Sequence, residues 1–220
     1  GKRMVTHAEF EDAKDKVMMG AERKSMAMSE EEKKLTAYHE AGHAIVGFML
    51  EHCDPVRKAS IISRGSAGGY TLKMPNEDKH YVTISQFRDD LAMSMGGYVA
   101  EKMIFGDDFL STGPSSDLEH ATKIARNMVM HYGMSKKLGA RTFGQREEMI
   151  FLGREIHEER DYSDKTAEII DQEIRDIIAE AEERARAVLS RNREKMEKMV
   201  QALLVKETIE EAEIKELLHT

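Results

Sequence analysis

Residues 39–43 contain two histidines and a glutamate at a spacing that can hold a metal ion and use it. His39 and His43 stand four residues apart with Glu40 between them, in the pattern H-E-x-x-H. On an α-helix, side chains at i and i+4 project from the same face, one turn apart. Two imidazoles so placed can share one tetrahedral zinc ion, and the adjacent glutamate can act as a general base. The spacing therefore predicts a zinc site with hydrolytic chemistry.

A second interpretation of the same residues is structural. Histidines on a helix can be ordinary core or surface residues, and the chain could be a non-catalytic helical oligomerisation module whose histidine pair is structural or metal-free. The apolar residues that follow the motif, from Ile45 to Leu50 around Gly47, favour a buried site instead.

The motif is predicted to lie on a helix over residues 30–52. Ser29 and Glu32 have the spacing of a capping box, which satisfies backbone N–H groups at a helix start. Pro55 is predicted to end the helix. Gly42 stands in its interior, where a glycine costs about 1 kcal/mol relative to alanine, so close packing against another element is expected there.

A catalytic zinc site commonly has three protein ligands and one open position. In some zinc sites the motif continues as H-x-x-G-x-x-H and supplies a third histidine. This continuation is absent here, because Val46 stands at the glycine position and Met49 at the histidine position. Asp117 is attractive because it falls in the first turn of a predicted helix after a Gly-Pro loop, although an acidic residue also stabilises a helix N-terminus by itself. The candidates for the third ligand are Glu77, Asp89, Asp90, Glu101, Asp117 and His120.

The remaining pattern predicts a mainly α fold with one small β region near residues 56–74. Strands are predicted at 56–62 and 69–74, and Pro75 suits an edge position for the second. This hairpin is either purely structural or an edge that pairs with an extended peptide. In the second case, the substrate-binding residues would be Gly69, Tyr70, Thr71 and Leu72.

Further helices follow from apolar residues at helical spacing. Gly96 and Gly97 inside one of them again suggest close packing, and Ser116 with Glu119 is predicted to form a capping box. Residues 134–161 are predicted to form a long, partly mobile loop. The helices are predicted at 84–105, 116–132, 162–190, 192–204 and 207–218.

Charge and cysteine content exclude several classes of protein. Thirty-three basic and 41 acidic residues give a net charge of −8, without a basic patch, so nucleic acid is not an expected partner. The single Cys53 excludes an intrachain disulfide and a cysteine zinc cage, and it fits a reducing compartment. The longest apolar run, Ala44 to Leu50, is too short to span a membrane, and the first residues do not have the pattern expected of a signal peptide.

Several segments together resemble the FtsH family, which are membrane-anchored, ATP-dependent AAA zinc proteases. The resemblance runs in register from about residue 4 to residue 180. It is carried by residues 14–25 (KDKVMMGAERKS), 37–44 (AYHEAGHA), 69–71 (GYT), 96–97 (GG) and 116–118 (SDL).

The resemblance implies a domain plan and a role for each site residue. Residues 1–24 would be the last helix of an AAA lid, residues 25–30 a linker, and residues 31–220 the zinc peptidase domain. No G-x-x-x-x-G-K-[ST] motif occurs, so ATP would bind only in a missing upstream domain. By similarity the zinc ligands are His39, His43 and Asp117, and Glu40 is the catalytic base.

The same resemblance implies the partners and the cellular setting. It predicts a homo-hexamer that cuts unfolded or membrane protein substrates in protein quality control. The fragment would be soluble, while the full-length protein would lie in the bacterial inner membrane, with this domain in the cytoplasm and membrane contact only through missing segments. Two positions depart from the family pattern: Ser116 replaces the usual Asn before the ligand Asp, and Tyr98 replaces the usual Arg after the Gly-Gly pair.

Overall fold

The structure is a computed structural model that describes residues 28–64, 68–75, 80–146 and 158–219, with isolated positions between 5 and 20. Within these ranges the chain is mainly helical with a small antiparallel sheet, as the sequence predicted. None of the helices in this part of the chain combines the length and the apolar composition needed to cross a bilayer.

From residue 28 onward, the described part of the chain forms seven helices and five short strands. The helices are α1 (Glu30–Met49), α2 (Ile84–Ser94), α3 (Gly96–Phe105), α4 (Ser115–Met130), α5 (Asp164–Arg191), α6 (Arg193–Lys206) and α7 (Glu211–His219), with a 3-10 turn at Asp107–Phe109. The strands are β1 (Val56–Ser60), β2 (Tyr70–Lys73), β3 (Gln145–Arg146), β4 (Glu158–Glu159) and β5 (Thr208–Glu210).

Helix α1 begins as predicted and ends earlier than predicted. Ser29 Oγ accepts the N–H of Glu32, and the Glu32 carboxylate accepts the N–H of Ser29, so the capping box is confirmed. The helix ends at Met49, well before Pro55. The turn that follows is held by the buried carboxylate of Asp89, which accepts the N–H of His52. This contact comes from a distant helix, so the local pattern could not show it.

Helices α1 and α3 cross at a contact between two glycines. A β-carbon on Gly42 would lie 2.3 Å from the carbonyl oxygen of Gly96, and one on Gly96 would lie 2.7 Å from the carbonyl oxygen of Gly42. The close packing predicted for both glycines is therefore confirmed. The single helix predicted over 84–105 is wrong in one respect, because it is interrupted at Met95, beside the helix-weakening Gly-Gly pair.

The main sheet has the strand order β2-β1-β5, with all neighbours antiparallel. Strand β2 is at an edge, as Pro75 suggested. The helix predicted over 207–218 is wrong at its start, because residues 208–210 form β5 instead. Glu207 adopts a left-handed conformation with φ of 61°, which ends α6 and lets the next residues pair with β1. Such long-range pairing leaves no local signal.

The predicted loop over 134–161 also contains a β pair that the sequence did not reveal. Gln145 and Arg146 pair with Glu159 and Glu158. Residues 147–157 lie outside the described residues, so the expectation of a mobile loop there stays a prediction.

The main hydrophobic core surrounds α1, which is buried without interruption from Thr36 to Gly47. Helices α2, α3, α5 and α6 supply most of the other side of this core. Because α1 lies at the centre of the described fold, its buried side chains, including His39, Glu40 and His43, are packed among several other elements. The largest fully buried side chains of this core include Ile45, Leu91, Met95, Leu189, Met199 and Leu203.

Candidate metal centre and active site

Helices α1 and α4 bring three candidate ligand atoms together. The Nε2 atoms of His39 and His43 lie 3.1 Å apart. Oδ2 of Asp117 lies 3.2 Å from Nε2 of His39 and 3.3 Å from Nε2 of His43. Ligand atoms about 2.0–2.1 Å from a tetrahedral zinc ion are separated by about 3.3 Å, so the three atoms have the spacing of three corners of such a site. Among the described residues, these three side chains form a group that could hold a metal ion.

The neighbours of the two imidazoles decide which nitrogen faces the metal. Nδ1 of His39 lies 2.8 Å from Oε1 of Glu101, and Nδ1 of His43 lies 2.7 Å from the carbonyl oxygen of Met93. Both partners can accept a hydrogen bond and a carbonyl cannot donate one, so each Nδ1 donates its proton outward. In the neutral rings, both Nε2 lone pairs then point at the same space as the Asp117 carboxylate, an arrangement that a cation between them would stabilise.

Electrostatics at this point favour positive charge. Burial lowers the pKa of His39, but hydrogen bonds to Asp117 and Glu101 outweigh it and raise that pKa to about 10. Burial raises the pKa of Asp117, yet the two histidines hold it well below its usual range. A proton and a metal ion therefore compete for the same place, and metal binding should release a proton. The donor set of two imidazoles and one carboxylate suits zinc.

Helix α4 presents Asp117 in its first turn, as the sequence suggested, but not through the predicted capping box. The helix begins at Ser115, after Pro114, and no side chain caps it. Ser116 lies one residue inside the helix, so its hydroxyl is not at the position that would pair with Glu119. The helix start is held instead by backbone bonds, including the one from the N–H of Leu118 to the carbonyl oxygen of Pro114.

Glu101 was a candidate ligand and has a different place in the structure. Its side chain is fully buried and contacts His39 on the side away from the metal position. Its other oxygen accepts the N–H of Ser111 at 3.1 Å. Burial raises the pKa of Glu101, but the hydrogen bonds from His39 and Ser111 lower this pKa by a larger amount, so the net shift is downward. A charged carboxylate here orients the imidazole and makes it a better donor to a metal.

The remaining candidates are placed outside the group of three. Asp89 forms an ion pair with Arg184, and Asp90 forms one with Lys73. His120 lines the cleft beside Asp117. Glu77 lies outside the described residues. Tyr98, the other departure from the family pattern, is partly buried against the core and lies below the Lys102 ammonium.

Glu101→Gln is expected to weaken zinc binding by about tenfold to a hundredfold, the usual effect of losing such a supporting partner. The amide keeps the size of the side chain but loses the charge that stabilises a metal-bound imidazole. Competition with a chromogenic chelator measures the zinc dissociation constant. Glu183→Gln, on the exposed side of α5, is the matched control. Equal dissociation constants for the two variants would contradict the role of the Glu101 charge.

Glu40 is positioned beside the metal ligands and below strand β2. The residue is only 4% exposed, and its Oε2 accepts a hydrogen bond of 2.7 Å from the Thr71 hydroxyl. Burial raises the pKa of Glu40, which makes the carboxylate more basic. A buried carboxylate next to a metal position is suited to accept a proton from water.

A cleft of about 700 Å³ opens over these groups. It is large enough for several residues of an extended peptide. Three of the four predicted substrate residues line it, while Leu72 does not. Residues on its walls include His39, Glu40, Gly69, Tyr70, Thr71 and Asp117.

The helical fold with a histidine pair one turn apart, a facing aspartate and an adjacent buried glutamate defines a metallopeptidase-type centre. A family model described as peptidase family M41 matches residues 26–217. The chain therefore belongs to peptidase family M41.

Curated relatives with similar sequences carry one description. The chain is 50% identical over 216 residues to "ATP-dependent zinc metalloprotease FtsH 1" of Sphaerobacter thermophilus, a match that covers 98% of this chain and 33% of that protein. It is 49% identical over 219 residues to "ATP-dependent zinc metalloprotease FtsH" of Chloroflexus aggregans, covering 99% of this chain and 33% of that protein. The chain thus spans about a third of the length of the curated relatives it matches.

Proposed function

We propose that this chain is the zinc endopeptidase domain of an ATP-dependent protease and hydrolyses peptide bonds of unfolded proteins. The observation that carries the proposal is the geometry of the site: three donor atoms at tetrahedral spacing, with the buried Glu40 carboxylate beside them in a cleft. The names of the relatives support the same activity.

In this proposal, the residues divide the chemistry between them. His39, His43 and Asp117 would hold the zinc ion, which when bound lowers the pKa of water towards about 7 and polarises a carbonyl group. Glu40 takes a proton from the attacking water and later delivers it to the leaving amine. The close α1–α3 contact and the hydrogen bonds at both Nδ1 atoms hold the imidazoles in position for the metal.

Proteolysis of an unfolded chain such as casein tests the function. The zinc-loaded protein is expected to digest casein without ATP, to lose this activity in a chelator and to regain it when zinc is added back. ATP hydrolysis by an upstream domain would not be needed for this step, because the metal and Glu40 would supply the activated water. Tight zinc binding without any cleavage would favour the alternative, a non-catalytic helical module.

The free edge of β2 supports a substrate that binds as an added strand. Ile61, just after β1, donates its N–H towards β5, to the carbonyl oxygen of Glu207. Main-chain groups alternate in direction along a strand, so Ser60 faces β2 instead. Tyr70, which pairs with Ser60, directs its main-chain N–H and C=O to β1. The next residue, Thr71, therefore directs its N–H to the free edge of β2. Main-chain pairing there would bind peptides with little demand on their sequence.

Thr71→Pro removes this N–H and is expected to raise KM for an unfolded substrate, with zinc still bound. The substitution also removes the Thr71 hydroxyl, so Thr71→Val, which keeps the N–H, is the matched control. The comparison of KM between the two variants isolates the contribution of main-chain pairing. Equal KM values would place the substrate elsewhere in the cleft.

The larger setting of the chain is proposed from its resemblance and its relatives. Residues 1–24 would belong to the lid of an upstream ATPase domain, residues 25–30 to a linker, and residues 31–220 to the peptidase. ATP binding, membrane anchoring and threading of substrates would reside in segments outside this chain, and the peptidase domains would assemble as a homo-hexamer. Light scattering at micromolar concentration tests the assembly, and a monomer at high concentration would exclude assembly by this domain alone.

A further inference from the structure

The carboxylate of Glu40 contacts strand β2 and the residue just before it. The Thr71 hydroxyl lies 2.7 Å from Oε2 and 3.1 Å from the main-chain oxygen of Glu40. A β-carbon on Gly69 would lie 2.9 Å from Oε1 of Glu40, so the glycine leaves just enough room for this oxygen. The hydrogen bond and the close approach together place the carboxylate between Gly69 and Thr71.

The hydrogen bond from Thr71 to Glu40 joins the sheet to α1. Among the residues that the structure describes, no other side chain donates a hydrogen bond to the Glu40 carboxylate. A glutamate has several rotatable bonds, so a carboxylate without this contact could occupy several positions. The hydroxyl also satisfies an oxygen that would otherwise be buried without a partner, since Glu40 is 4% exposed.

We propose that Thr71 is a positioning residue, whose hydroxyl holds the carboxylate of Glu40 where it can take a proton from the attacking water. The inference rests on the proposed function, in which Glu40 is the base. The same residue has its N–H on the free edge of β2, where the substrate strand is proposed to pair. Thr71 would therefore place the base and the docked peptide in one rigid frame, without contacting the reacting atoms through its own side chain.

The contribution of the hydroxyl can be separated from that of the strand. Thr71→Val keeps the approximate shape, the β-branched preference for strands and the main-chain N–H, and it replaces the hydroxyl by a methyl group that cannot donate a hydrogen bond. Displacing a catalytic group by about 1 Å can cost about a hundredfold in rate. We expect kcat to fall between about tenfold and a hundredfold, with KM and zinc stoichiometry unchanged. Thr71→Ser restores a hydroxyl and is expected to recover most of the lost kcat.

A double-mutant cycle distinguishes positioning of Glu40 from a general structural effect. If Thr71 acts through Glu40, Thr71→Val should lower the cleavage rate little further in a Glu40→Gln background. The double variant should then cleave at the residual rate of Glu40→Gln alone, in long incubations with the zinc-loaded protein. A structural effect of Thr71 would instead lower both backgrounds by the same factor.

Three kinetic results would overturn the inference: an unchanged kcat in Thr71→Val, a loss in Thr71→Ser as large as in Thr71→Val, or the same fold-loss in both backgrounds. Loss of zinc from Thr71→Val would also overturn it, because the hydroxyl would then support the metal site. Failure of the proposed function looks different. In that case Glu40→Gln would cleave as fast as the parent chain, or the parent chain would not cleave at all.

Discussion

Glu40→Gln is expected to bind zinc normally and to cleave casein at least about a hundredfold more slowly, because removal of a general base costs about 10²–10⁴ in rate. The amide has the shape of the carboxylate and can still accept the hydrogen bond from Thr71. It cannot take a proton from water. Since Glu40 supplies none of the three ligand atoms that surround the metal position, the zinc content should not change.

The experiment compares Glu40→Gln with Glu31→Gln, which lies on the same helix but is exposed to solvent. Initial rates of casein digestion and zinc content are measured on the same preparations. The control should match the parent chain in both. Near-normal cleavage by Glu40→Gln would remove Glu40 as the base, and a loss of zinc from this variant would mean that it supports the metal site instead.

Asp117→Ala is expected to lose stoichiometric zinc and, with it, proteolysis. The substitution leaves two imidazoles, and a catalytic zinc site needs three protein ligands. The side chain of Asp117 is 26% exposed, so its removal should disturb the fold little. His39→Ala and His43→Ala are expected to have the same effect on zinc.

Zinc content after dialysis measures the loss, and thermal unfolding of the metal-free forms checks that the fold survives. Glu119→Ala is the matched control, because it lies on the same helix and does not line the cleft. Full zinc retention in Asp117→Ala would move the third ligand to another residue, with His120 the first substitute. In that case His120→Ala in the same background should release the metal.

The sequence by itself determined the features that depend on local geometry. His39, Glu40 and His43 lie within five residues, and the helix repeat alone places the two imidazoles one turn apart. The capping box at Ser29 and the edge position of β2 follow from neighbouring residues in the same way. Gly42 and Gly96 each weaken a helix, so their presence indicated close packing. It did not indicate which helices would be in contact.

Only the tertiary structure decided which distant residues meet at the site. Six acidic or histidine side chains could have been the third ligand by type, and the packing of α4 against the core brings Asp117 within 3.3 Å of both imidazoles. The packing of α3 and β2 against α1 places Glu101 behind His39 and Thr71 against Glu40, and no local pattern marked either contact. His39 and Glu101 are 62 residues apart in the chain, so a pattern of neighbouring residues could not reveal their contact.

The errors in the predicted elements have the same origin. The local sequence of β5 predicted the start of a helix, but its residues pair with β1 about 150 positions earlier in the chain. Helix α1 ends where a distant aspartate holds the next turn, rather than at the proline. Helix and turn preferences are worth about 1 kcal/mol or less per residue, so burial and long-range pairing override them wherever the two disagree. Local spacing therefore determined the chemistry on α1, and long-range packing decided which side chains complete the site.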